Sequence, residues 1–256
     1  MTEGTLLATL VHPNIIKLRG RSLPSVEGFA SGKRDAFFLI LEKVDSNLSD
    51  RLREWQRRHK NQAFIVGRRE EKLALLLERL SVLIQIADAL AYLHDKNIIH
   101  RDLKLSNIGM RLGQAILLDF GLAKVLPKNS NQNELFNLTG NTGSMRYMAP
   151  EVSRGARYNL KADVFSFSIL MFEVLSLSKA WSGYQPQEIR SRVNIHKQRP
   201  PLSMFWPSRL RDLLKSTWSD LPAARLPIRH VHTILSKQIE ELSQAKIKNV
   251  VGSSVV

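Results

Sequence analysis

The spacing of apolar residues changes several times along this chain, and each spacing predicts a different kind of element. Leu6, Leu7 and Leu10 fall on one face of a short helix, which His12-Pro13-Asn14 breaks. Residues 15–18 and 37–41 are extended apolar runs that read as strands, joined by a Gly-, Ser- and Pro-containing turn and loop over 21–34. From 73 to 95, Leu80, Leu83, Ile84, Ala87, Leu90, Ala91 and His94 recur at three- and four-residue steps, which predicts an amphipathic helix. Short apolar runs at 98–99 and 115–118 each lead into a charged tripeptide rather than a turn. Residues 122–148 are polar and aperiodic, and loops of that length in a compact domain are usually functional. Residues 164–177 are apolar on every side, which predicts a helix buried inside the core. Polar, amphipathic helices follow over 185–242, punctuated by Pro200-Pro201, Pro207, Pro222 and Pro227, and from Lys246 onward the chain is expected to fray. A little β followed by mostly α predicts an α+β chain of two unequal lobes.

Composition removes several classes of function. The chain has 256 residues, and its 43% hydrophobic content is enough to bury a sizeable core. It has no cysteine, so disulfides, Cys-ligated zinc and thiol nucleophiles are excluded. No run of 18 apolar residues is present to span a membrane, and Glu3 with no basic flank argues against a secretory signal. Charge adds a question: 38 Lys and Arg against 23 Asp and Glu give +15, a field that favours phosphate-bearing or acidic partners. The cations concentrate over 51–72 and 188–215, where the solvated faces of helices account for most of them, and nucleic acid is not the expected partner.

The candidate chemistry lies between the two apolar helices. His100-Arg101-Asp102-Leu103-Lys104-Leu105-Ser106-Asn107 is followed, twelve residues after Asn107, by Asp119-Phe120-Gly121. Asn107 and Asp119 offer hard oxygen ligands to Mg²⁺ carrying nucleotide phosphates. Asp102 can accept the proton of an incoming hydroxyl, and Lys104 can neutralise charge on the moving phosphoryl group. Asp-Phe-Gly alone is a weak signal; with the octapeptide before it and Ala149-Pro150-Glu151 after it, chance is a poor explanation.

Together these residues resemble the catalytic domain of the eukaryotic protein kinases, from Glu3 to about residue 240, with H-R-D-L-x-x-x-N, D-F-G and A-P-E present letter for letter. The resemblance implies a protein-kinase-like two-lobe fold: a truncated small β lobe over 1–45, a complete and mainly α-helical large lobe over 46–242, and a flexible tail over 243–256. It implies a serine/threonine kinase that transfers the γ-phosphate of ATP, with Mg²⁺, to protein substrates in the cytoplasm or nucleus. Asp102 is then the catalytic base, Asn107 and Asp119 hold metal, and Lys104 marks serine/threonine specificity. Leu41 gates the adenine pocket and Glu42-Lys43-Val44 forms the hinge that bonds adenine. Asp163 is expected to bond the catalytic-loop backbone, Arg225 to pair with Glu151, and Ser144 to orient the acceptor. Arg101 is expected to receive a phosphate placed on Thr139 or Thr142 by an upstream kinase, with Ser130 a weaker candidate. His12-Pro13-Asn14 and the R-Y-M-A-P-E run resemble the tyrosine-kinase-like group of serine/threonine kinases.

Two positions depart from the family pattern. Glu3 falls where the family keeps the glutamate that pairs with a strand lysine, yet only Met1 and Thr2 precede it, so neither that lysine nor a glycine-rich loop occurs in these residues. Loss of one such donor costs on the order of 3 kcal/mol, about a hundredfold in rate. This opens an alternative, a pseudokinase or scaffold that keeps the fold without efficient ATP turnover. Gly109 stands where a bulky apolar residue packs under adenine, and is expected to leave that contact unfilled, at about 1–2 kcal/mol.

Overall fold

The computed structural model describes residues 2–22, 38–63, 69–127 and 133–252. The expected loop over 21–34 lies outside these from residue 23, as do Phe37, Ser130 and the last four residues of the expected tail. Helix α1 (Glu3–Leu7) is opened by Thr2, whose hydroxyl accepts from the Thr5 N–H. Strands β1 (Leu18–Arg21) and β2 (Leu39–Leu41) pair antiparallel. Ile15 and Ile16 are spent differently from the predicted strand: they dock on the segment before the D-F-G residues. The Ile16 N–H donates to Leu117 O at 3.0 Å, and the Leu117 N–H to Asn14 O at 2.8 Å. The buried Asn14 amide donates to Ala115 O at 2.8 Å, so the helix breaker also seats the small lobe on the large one.

Past residues 42–45 the chain enters β3 (Ser46–Asn47), α2 (Leu48–Ala63) and α3 (Arg69–Asp95). Strand β4 (Ile98–Ile99) leads to β5 (Ile108–Arg111) and β6 (Gln114–Leu117), and β7 (Lys124–Val125) returns to pair with β4. The order β3-β5-β6 makes a small antiparallel sheet that ties the hinge to the catalytic segment. Helices α4 (Pro150–Ser153), α5 (Lys161–Ser176), α6 (Pro186–Asn194), α7 (Ser208–Thr217) and α8 (Ile228–Gly252) complete the large lobe. The last helix runs to Gly252, past residue 243, where the resemblance placed the start of a tail, and past Lys246, where the sequence pattern expected fraying.

Helix α5 is buried along nearly its whole length, as its all-apolar pattern predicts. Its C-terminal carbonyls need partners, and the buried Arg79 of α3 donates to Leu175 O at 3.0 Å. Burial lowers the Arg79 pKa to about 10, which still leaves it charged at neutral pH.

The basic stretch over 51–72 divides by face. Trp55, fully buried, donates its indole N–H to Glu78 at 2.9 Å, and Arg51 and Arg58 bond the same carboxylate, which pins α2 to α3. Arg57 and Lys60 have no acidic partner among the described residues.

Arg225 closes the large lobe. Its guanidinium grips Glu151 through two bonds of 2.6 and 2.7 Å, with Arg225 wholly buried and Glu151 nearly so. It also donates to Lys161 O at 3.0 Å and Ser219 O at 2.8 Å. Removing one side of such a pair strands a buried charge. Arg225→Ala is therefore expected to lower unfolding free energy by about 3–5 kcal/mol in a urea titration. A change under about 1 kcal/mol, the size of an exposed pair, would contradict this reading.

Candidate active site

Asp163, in the first turn of α5, is buried and reaches back to the catalytic loop. Its carboxylate accepts the His100 N–H at 2.8 Å and the Arg101 N–H at 2.9 Å, and meets His94 Nε2 at 3.0 Å. Burial is the largest single influence and pushes the Asp163 pKa up. The His94 hydrogen bond, the nearby imidazoles and the His100 N–H together outweigh it and hold the carboxyl below its ordinary range. Arg101 has φ of 70°, a left-handed conformation that a non-glycine residue keeps only when its surroundings enforce it. The Asp163 bonds to the two consecutive N–H groups that lead into that residue supply the enforcement.

With the loop held, its side chains converge. Lys104 Nζ donates to Asp102 Oδ2 at 2.6 Å and the Asn107 amide to the same oxygen at 3.1 Å. On Asp102 Oδ1, Ser144 donates both its N–H and its hydroxyl, each at 3.0 Å. Burial pushes the Asp102 pKa up most strongly, but the bonds from Lys104 and Ser144 outweigh it, so the carboxyl sits below its ordinary range. The Asn107 amide also donates to Asp119 Oδ2 at 3.2 Å, which brings both acids and the amide into one cluster. Gly143 lets the following segment approach: its φ is 90°, and an added Cβ would lie 2.3 Å from Arg101 O.

Asp119 also has positive φ, 59°, and its side chain accepts the Gly121 N–H at 3.3 Å, a local turn that Asp tolerates. Phe120 is buried edge-on against His100, with ring centroids 5.1 Å apart. Its N–H donates to the Glu3 carboxylate at 2.9 Å, so α1 is fixed to the D-F-G segment. Arg101 donates Nε to Leu122 O at 2.6 Å and Nη1 to the Tyr158 hydroxyl at 3.3 Å, and that hydroxyl donates to Thr139 O at 2.8 Å.

At the hinge, Glu42 N–H bonds Lys17 O and Asp45 N–H bonds Met110 O, at 2.9 and 2.8 Å, whereas the Val44 N–H bonds nothing among the described residues. The expectation for Gly109 is overturned. A Cβ there would lie 2.8 Å from Val44 Cγ1 and 3.2 Å from Leu118 Cδ1, so those side chains already fill the space.

A family model described as protein tyrosine and serine/threonine kinase matches residues 1–235. The chain belongs to that family. It is 31% identical over 252 residues to the mitogen-activated protein kinase kinase kinase 7 of Drosophila melanogaster, covering 95% of this chain and 32% of the relative. The human serine/threonine-protein kinase TNNI3K is 31% identical over 227 residues, 87% of this chain and 24% of its own. The dual specificity protein kinase shkB of Dictyostelium discoideum is 38% identical over 159 residues, 60% of this chain and 23% of its own. The chain thus spans about a quarter to a third of these curated relatives. The α+β protein-kinase fold expected from the sequence stands.

The donor set suits the nucleotide and metal that kinases use. One carboxylate, Asp119, beside one amide, Asn107, is no closed protein cage, and Mg²⁺ is commonly bound by one or two such ligands while phosphates and water complete its shell. The Val44 N–H, unpartnered among the described residues, and the apolar Val44 and Leu118 side chains against Gly109 suit a flat heterocycle.

Sequence reasoning missed two partners. His94 counted only as a position on a helical face, yet it shares Asp163. Glu173 is the single acid in the apolar run over 164–177, and it accepts from the buried Tyr147 hydroxyl at 2.5 Å and from the Ala180 N–H at 2.9 Å. A single acid in such a run was itself the signal, because a buried carboxyl requires donors.

The depressed Asp163 pKa fixes a pH dependence. The stability it contributes is complete above the ordinary value of 3.8 and is lost as pH falls through the lower folded-state value. Urea midpoints measured down the acid range should therefore fall more steeply below pH 3.8 for the natural chain than for Asp163→Asn; parallel curves would refute the ionised clamp.

Proposed function

We propose that this chain is the catalytic domain of a serine/threonine protein kinase that passes the γ-phosphoryl group of ATP to a hydroxyl on a protein substrate. The observation that carries the proposal is the convergence of Lys104, Asn107 and Ser144 on the one Asp102 carboxylate, with Asp119 bonded to the same Asn107 amide.

Asp102 works as the base. Lys104 and Asn107 hold Oδ2, so the carboxylate is oriented before substrate arrives. The Ser144 hydroxyl on Oδ1 can rotate away and leave that oxygen to the acceptor hydroxyl, whose proton Asp102 takes as the new P–O bond forms. Lys104 lies close enough to oppose charge gathering on the transferred group. When bound, Mg²⁺ would neutralise the nucleotide phosphates, held by Asp119 and Asn107. Leu41, Glu42 and Val44 line the adenine end, with the bond made by the Val44 backbone. Serine/threonine specificity rests on Lys104 and on Ser144 beside the base. Thr139 is the favoured site for an upstream kinase, since it is exposed and its carbonyl already joins Arg101 through Tyr158.

The test is transfer of labelled phosphate to a mixed protein substrate by the natural polypeptide that carries this domain. Asp102→Asn is expected to lower kcat by about a hundredfold or more, with ATP affinity changed little. Equal transfer by both proteins would remove Asp102 from its role. Phosphotyrosine as the product would reverse the specificity.

A further inference from the structure

Behind the hinge, on the side to which Glu42 turns its carboxylate, lies a concavity of about 380 Å³. Asp102, Asn107 and Asp119 do not line it, so it is separate from the phosphoryl-transfer cleft. Leu10, Pro13 and Ile15 give it an apolar wall, and Val11 stands beside them 84% exposed. Val11 thus extends the apolar wall out to the rim, where an incoming side chain would meet it. The Val11 N–H donates to the Tyr92 hydroxyl at 2.9 Å, and His12 packs on the Tyr92 ring with centroids 5.0 Å apart. His12 also meets Asp88 at 3.3 Å, and the Asn14 amide next to it is bonded in the core. The wall is therefore formed before anything binds.

The other side is cationic. Arg19 and Arg111 both bond one carboxylate, Glu42, the Arg19 contact being 2.8 Å. The Arg19 hydrogen bond lowers the Glu42 pKa, so that carboxylate is ionised at neutral pH. Lys17, exposed on the same rim, has no acidic partner among the described residues. Three cations thus face a single carboxylate around an apolar hollow.

We propose that this concavity docks an acidic, aliphatic-anchored segment of a partner protein, with a Leu- or Ile-sized side chain on the wall of Leu10, Pro13 and Ile15. Carboxylates flanking that anchor pair with Lys17, Arg19 and Arg111. A protein segment fits better than the other anionic partners. A lipid surface is too flat to fill a hollow, and a nucleic-acid strand would seek exposed stacking rings, whereas the one ring here, His12, is occupied by Tyr92 and Asp88. Docking here is independent of catalysis, so it can be read without any turnover.

The probe is a fluorescein-labelled peptide, Gly-Asp-Glu-Leu-Leu-Asp-Glu-Gly, titrated with the full chain by fluorescence anisotropy. Saturable binding is expected, weakening as NaCl rises from about 50 to about 200 mM. Val11→Asp and Lys17→Glu each put a like charge against the peptide and should raise Kd about tenfold or more. Both positions are exposed, so the variants should keep the natural thermal midpoint. Arg57→Glu, an equal charge change on α2, should leave Kd unchanged. The proposal falls if no saturation appears by about 1 mM, or if the two rim variants bind as the natural chain does. It falls equally if a peptide with both leucines replaced by glycine binds as well, or if a single-stranded oligonucleotide is held by the same residues instead.

Discussion

The Asp163 carboxylate is the interaction on which the rest of the site depends. It is buried at the start of the most apolar helix, and an acid there is tolerable only because three donors converge on it. Two of those donors are the consecutive backbone N–H groups of His100 and Arg101, which lead into the left-handed turn at Arg101. The arrangement couples the core to the chemistry. Helix α5 is rigid because it is surrounded, and it passes that rigidity to Asp102 through one side chain. Strain at Arg101 persists because the clamp offsets it, and the turn it makes aims Asp102 at Lys104, Asn107 and Ser144.

Other contacts settle neighbouring segments onto the same frame. Gly143 allows the activation segment to lie within contact of the Arg101 carbonyl, which brings Ser144 onto Asp102. Glu3 holds the D-F-G backbone from the small-lobe side, and Asn14 docks the start of the chain on β6. At the far end, the Arg225–Glu151 pair anchors the A-P-E helix against α5. Each link joins residues distant in sequence, and each replaces a hydration shell with fixed donors. Such preorganisation leaves little to rearrange when a nucleotide and an acceptor hydroxyl arrive.

The legible parts of the site were those whose chemistry requires neighbours in sequence. Asp102, Lys104 and Asn107 lie within one short loop, and Asp119-Phe120-Gly121 follows directly from a strand, so spacing alone exposed them. The buried helices were legible from apolar periodicity. What escaped depends on tertiary neighbours. Gly109 read as a hole because its side chain is missing, yet Val44, on a different segment, occupies that volume. His94 looked like one more position on a helical face until the fold placed Asp163 against it. The basic stretch over 51–72 read as solvated helix face, because only the fold reveals that Glu78 on α3 claims Arg51 and Arg58, while Arg57 and Lys60 have no acidic partner among the described residues. The strand expected from residue 15 begins at Leu18 instead, since Ile15 and Ile16 spend their backbone on Leu117.

The most direct measurement of the central claim is amide hydrogen exchange at His100 and Arg101, compared with amides in the middle of α5. If Asp163 clamps the loop, these two N–H groups exchange only through the same cooperative opening as the α5 core, although they lie in a loop. Exchange at rates typical of an exposed loop, while α5 stays protected, would show that the carboxylate does not hold the backbone and would contradict the account.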